Sequence, residues 1–226
     1  DVLRQGLVRA PGADLLRREA ALLLARQGLA RAAAAEAAGL QDPAERRTVY
    51  LTVARALHEA GDPLAAAEVL EQYRLLAPDD LDAAEQHARL WAAAGEPAVA
   101  ARLFRALAPR RPALWASAAD QARLAGDLRQ ALRDNARQPD PARRTAQRLD
   151  LLLAAERWAA AHALGGRLTA LDDDQRYRLA YAALRAGHPA DARRLARAVR
   201  DPARRASAAR LAKAAQACLR EPARGP

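Results

Sequence analysis

Residues 50–112 carry one pattern written twice, and that repetition constrains the fold more than any composition does. An apolar-periodic run closes in Ala60-Gly61-Asp62-Pro63, and a second closes in Ala94-Gly95-Glu96-Pro97. A small residue follows each glycine at the same offset (Ala66, Ala100). A large apolar residue comes next (Leu70, Phe104), and a proline ends each unit (Pro78, Pro112). The two glycines stand 34 residues apart. Repetition at this period describes a unit that cannot bury its apolar face alone and must stack on its neighbours.

The pattern resembles the tetratricopeptide repeat (TPR) family. Its large, small, Gly, small, large and Pro positions fall on Tyr50, Ala54, Gly61, Ala66, Leu70 and Pro78. In the next unit they fall on Ala84, Ala88, Gly95, Ala100, Phe104 and Pro112, where Ala84 departs from the large residue expected. Turn positions in phase with these are Gly28, Gly126, Glu156 and Gly187. The resemblance implies an all-α, right-handed α-α superhelix, a TPR-like solenoid of about six helical hairpins plus flanking helices. The repeats expected are 13–40, 43–78, 81–109, 112–138, 141–170 and 172–200 in one solenoid over 1–226, with 202–220 a capping helix or the start of another repeat. Leu3, Leu7 and Val8, closed by Ala10-Pro11, read as the end of a preceding repeat over 1–11, so the chain is expected to be an excerpt of a longer array. The turn at Ala155-Glu156-Arg157-Trp158 lacks glycine, and Trp158 is expected to cover it.

Composition agrees with helices. Ala, Leu and Arg dominate and Phe occurs once, which favours helix over strand. No apolar run reaches the ~18–20 residues that a membrane span needs. The formal charge is +10, and every basic residue but Lys213 is Arg. Two readings account for that excess: the codon usage of a GC-rich genome, or an acidic partner met by guanidinium forks. A lone Cys218 excludes an intramolecular disulfide and reads as a small apolar residue of the last helix.

Helix starts repeat a second signal. Asp42-Pro43, Asp140-Pro141 and Asp201-Pro202 each place a cap acceptor before a proline at the first helical position. Each is followed by two arginines (Arg46-Arg47, Arg143-Arg144, Arg204-Arg205). Cations there oppose the helix dipole, so a solvated, outward basic edge is expected.

Motifs for catalysis are missing. The chain has no phosphate-cradling Gly loop, no Gly-x-Ser-x-Gly, no His-Glu-x-x-His and no Cys-x-x-Cys. His58, His87, His162 and His188 are scattered, and structural or solvated roles fit them better than metal ligation. Asp172-Asp173-Asp174 lacks the spacing and the Gly of a calcium loop and reads as a charged cap. No enzyme, cofactor or metal is expected.

The resemblance implies that the first helix of each hairpin lines an inner groove. Partner-binding candidates there are Arg18, Arg55, Arg89, Arg123, Tyr177, Arg178, Tyr181 and Arg185, with Leu51 and His58 on the same stripe. Tyr177 and Tyr181 read equally as a packing pair within one helix or as a ligand platform. Arg55 and Arg89 read also as a solvated face paired with Glu59 and Glu85. By resemblance the chain is a scaffold for another protein. The Ala/Arg-rich array is also similar to the periplasmic TPR regions of bacterial exopolysaccharide exporters (cellulose, poly-N-acetylglucosamine and Pel type). That implies a polysaccharide-modifying enzyme as partner. The alternative is direct binding of a polyanion, nucleic acid or acidic glycan, on the arginine-rich surface.

Overall fold

The computed structural model describes residues 14–168 and 171–220. The expected end of a preceding repeat over 1–11 and the tail from 221 lie outside them. Among the described residues the fold is all helix. The chain divides into two compact units, at Pro139/Asp140.

The first unit holds α1 (Asp14–Arg26), α2 (Ala30–Ala38), α3 (Pro43–Glu59), α4 (Pro63–Leu76), α5 (Leu81–Ala93), α6 (Pro97–Leu107), α7 (Leu114–Leu124) and α8 (Leu128–Asn135). Each packs on the next, and α1 also packs on α3, and α2 on α4. The second unit holds α9 (Pro141–Ala154), α10 (Trp158–Gly165), α11 (Asp173–Arg185), α12 (Pro189–Arg197) and α13 (Pro202–Arg220). Here too consecutive helices pack, and α13 reaches back to α11.

Local chemistry sets the helix boundaries. At the end of α3 the Asp62 amide reaches back to the Leu57 carbonyl at 3.0 Å, which requires a left-handed residue between them. Gly61 supplies it at φ 89°. Asp62 then accepts from the Ala65 amide at 2.9 Å and starts α4 behind Pro63. Asp42, Asp140 and Asp201 cap α3, α9 and α13 as their Asp-Pro pairs predict. The glycine-free turn has the same geometry, because Glu156 itself takes φ 54° and the Arg157 amide reaches the Leu152 carbonyl at 2.9 Å. The Trp158 ring stands edge-on to Tyr181 of α11 at 5.5 Å.

Alanines let the helices approach, and a few large residues fill what remains. In the first core Tyr50 is 1 % exposed. Its hydroxyl donates to the Ala34 carbonyl of α2 at 3.1 Å, and its ring lies 5.2 Å from that of Tyr73. Phe104 and Trp115 fill the next core, around Ala84, Ala88 and Ala118. In the hairpin of α9 and α10 the size order is inverted. Leu149 is fully buried where the other units carry alanine, and Gly165 stands where Leu70 and Phe104 stand. Leu179 of α11 fills that space, with its Cδ2 2.4 Å from where a Cβ on Gly165 would lie. The helix expected over 157–169 runs over Trp158–Gly165.

The first and last of the arginine pairs do not form a free basic edge. Arg46 donates to the Leu40 carbonyl and Arg205 to the Arg200 carbonyl, each closing the loop before its own helix. Arg47 reaches Asp80 at 2.6 Å and Asp82 at 3.3 Å, and Arg204 reaches Asp174 at 2.5 Å. These bonds tie one hairpin to the next. Asp173 does the same through the backbone, accepting from the Arg200 and Asp201 amides at 2.8 and 2.7 Å. Those amides, with Arg176, hold its carboxyl below the ordinary carboxylate value.

Candidate functional site

Periodicity places residues on one helix face, and the structure shows which of these faces meet. Between α3 and α5 lies an open cleft of about 350 Å³. Its apolar wall comes from Leu51 and Ala54 on α3 and from Leu90 and Ala93 on α5. Thr52 and Gln86 add neutral hydrogen-bonding groups. Arg55, Arg89 and His58 complete the lining. No carboxylate lines the cleft. Arg55, Leu51 and His58 share a face because they are three and four residues apart on α3, and Arg89 repeats Arg55 one unit later.

The electrostatics of the rim follow from who else holds its carboxylates. Arg55 is 68 % exposed and sits 4.0 Å from Glu59, itself 69 % exposed, which makes a loose surface pair. Arg89 is 67 % exposed and meets Glu85 at 2.5 Å. Glu85 is more enclosed, and Arg111 from the loop before α7 also binds it at 2.7 Å. Arg111 binds Asp82 too, and these two acids raise its pKa. It is thus a structural cation that bridges hairpins, which its position in a loop gave no means of recognising.

Other predicted residues are placed elsewhere. Arg18 pairs with Glu19 at 3.0 Å and with Glu45 of α3 at 3.8 Å. Arg123 is exposed on α7 and lies outside the cleft lining. In the second unit Arg178 meets Asp150 at 2.9 Å and Asp174 at 3.7 Å. Tyr177 and Tyr181 do not pair with one another. Tyr177 lies under the Arg204 guanidinium at 5.4 Å, whereas Tyr181 packs on Trp158, with Arg185 5.9 Å from the same indole. Sequence reasoning missed Gln86 and Ala93, which stand three and four residues from Arg89 and could have been read from it, and Leu90 beside it.

The histidines have separate settings. His87 is buried, accepting from the Trp91 indole N–H at 2.7 Å while an Arg74 nitrogen lies 3.0 Å from its Nδ1. Burial, helped by Arg74, pushes its pKa down to about 4, so it is neutral at pH 7. His162 stacks on His188 at 4.4 Å and touches Asp191 at 3.1 Å. Among the described residues no three His, Cys, Asp or Glu side chains gather as metal ligands, and no helix is long and apolar enough to cross a membrane.

No protein-family model matches the chain, and no curated protein does. Solved structures do. A chain of the Naa15/Naa10 complex bound to HypK-THB superposes with a TM-score of 0.68 at 16 % identity, over 95 % of this chain and 36 % of that one. Yeast Tom70 gives 0.50 at 15 % identity, over 97 % of this chain and 58 % of its own. A Podosopora anserina chain of nearly identical TPR-like repeats gives 0.51 at 17 % identity, over 81 % of this chain and all of that one. This chain therefore spans about a third of the first neighbour and little over half of the second. At such identities the likeness speaks for architecture alone: the chain has the all-α helical-repeat fold of the TPR type.

Proposed function

We propose that the protein is a non-catalytic docking scaffold that holds a segment of another protein against the first helices of its repeats. The observation that carries this reading is the cleft between α3 and α5. It is apolar at its wall, open to solvent, and built by residues from two successive repeats. Docking needs such a surface; catalysis would need converging nucleophiles or acid–base pairs as well. A protein partner is also consistent with the Naa15/Naa10 chain, whose structure is of a complex with HypK. Arg55 and Arg89 are assigned to this docking surface. In its finer form, taken from the exporter resemblance, the partner is a polysaccharide-modifying enzyme of a bacterial exopolysaccharide secretion apparatus in the periplasm.

The test is a pull-down from nuclease-treated lysate at about 0.15 M and about 0.5 M salt, with Ala93→Glu as control. Ala93 is exposed on α5, so the substitution blocks the cleft without entering a core. A discrete protein retained at both salts by the native chain and lost from the variant supports docking. Retention at low salt only, replaced by nucleic acid or glycan when nuclease is omitted, would sink it.

A further inference from the structure

The arginines of the first unit differ in what they can give up. Arg47 and Arg111 are committed, because each neutralises acids on a neighbouring hairpin. Arg55 and Arg89 are not. Glu59 is solvated and barely in contact, so moving Arg55 strands no buried charge. Glu85 keeps Arg111 when Arg89 leaves it. The cleft therefore has two spare guanidinium groups at its rim, one from each repeat, an apolar wall between them and no acid in its lining.

We propose that the segment docked here is acidic, with an aliphatic or aromatic side chain flanked by Asp or Glu. This rests on the scaffold reading and adds the chemistry of the partner. The apolar side chain enters against Leu51, Ala54, Leu90 and Ala93, and the flanking carboxylates take Arg55 and Arg89 as bidentate donors. A volume of about 350 Å³ lies at the small end of the roughly 300–1,000 Å³ typical of ligand pockets, which suits a few side chains and not a folded surface. Charge complementarity selects the sign, and the wall selects a peptide over a purely charged polymer.

Fluorescein-labelled peptides of three compositions decide the matter with the whole chain: Glu with Leu and Phe anchors, Glu with Ser in their place, and Lys with the same anchors. The first is expected to bind about tenfold or more tighter than either other, and to keep measurable binding at about 0.5 M salt. Replacing both arginines (R55Q/R89Q) is expected to weaken it about tenfold, roughly half a decade for each rim charge. Ala93→Glu is expected to abolish it. Failure of the anchored acidic peptide to bind, or equal binding of the Lys peptide, overturns the inference. If a lysate protein is still captured through Ala93 and the double variant retains it, the scaffold reading stands and only the acidic partner falls. If single-stranded DNA or heparin competes as well as the anchored peptide does, both fall.

Discussion

Replacing Asp80 by Ala tests how one side chain joins two hairpins. Its Oδ1 caps α5, accepting from the Asp82 and Ala83 amides at 3.1 and 3.0 Å. Its Oδ2 accepts from Arg47 at 2.6 Å and from the Tyr73 hydroxyl at 3.1 Å. Losing the cap costs about 1 kcal/mol. Tyr73 is only 4 % exposed, so its hydroxyl loses a partner with little water to replace it, at a further ~1 kcal/mol. The Arg47 guanidinium is 40 % exposed and keeps Asp82, which limits the ion pair to a few tenths of a kcal/mol. The expected total is about 2–3 kcal/mol. Asp80→Asn keeps the cap acceptor, its amide can donate to the Tyr73 oxygen while Arg47 turns to Asp82, and it is expected to cost about 1 kcal/mol, less than the Ala variant. Urea unfolding read by tryptophan fluorescence in a Trp158→Phe background reports the first unit through Trp91 and Trp115. With a slope of about 2 kcal/mol per molar, the Ala variant is expected to shift the midpoint by roughly 1 M. The acid dependence has a definite sign. Burial favours the neutral carboxyl of Asp80, but hydrogen bonds from Arg47, the Ala83 amide and Tyr73 outweigh it and hold the pKa below the ordinary value. The stabilisation is therefore complete above the unfolded value of ~3.9 and is lost as pH falls through the lower folded value. The gap between native and Ala forms should stay constant from neutral pH to about 5 and narrow below about 4. A loss under about 0.5 kcal/mol, or an Asn variant as weak as the Ala variant, would refute this account of the shared carboxylate.

Four further outcomes follow from the same structure. Glu156→Gly relieves a left-handed backbone and is expected to stabilise the second unit by up to about 1 kcal/mol in urea melts. Gly165→Ala drives a methyl into Leu179 and is expected to cost about 1–3 kcal/mol, with Leu179→Val partly restoring it. Tyr50→Phe removes the bond to the Ala34 carbonyl and is expected to cost about 1 kcal/mol, seen as a lower melting temperature. Because His87 is buried neutral with a pKa of about 4 and takes up a proton near 6.5 when unfolded, stability is expected to fall by about 3 kcal/mol as pH drops from 6.5 to 4. His87→Gln should flatten that limb of the pH profile.

Much of this fold could be read from the chain because its punctuation is local. Asp42, Pro43 and Gly61 act within a few residues of themselves, so helix starts and stops follow from the sequence. What could not be read lies one repeat away. The partners of Arg47, Arg111 and Arg178 are 26–35 residues distant, and only the stacking brings them within reach. For the same reason Arg47 and Arg204 looked like part of a solvated edge when they are ties between hairpins. Arg55 and Arg89 were legible as one stripe because the period itself aligns them. That Arg18 and Arg178 belong to ion pairs bridging hairpins was not, since Glu45 and Asp150 carry no mark of it.

The exchange of sizes among Leu149, Gly165 and Leu179 bears on how such an array can be inherited. Repeat proteins grow by duplicating units that fit any neighbour. The unit around α9 and α10 does not have that freedom. Gly165 is complete only beside a leucine reaching in from the following hairpin. A copy moved elsewhere would carry a hole at one face, and a foreign unit inserted after it would have to bring its own Leu179. The pair of hairpins, and not the single hairpin, is the smallest piece of this stretch that recombination can transmit intact.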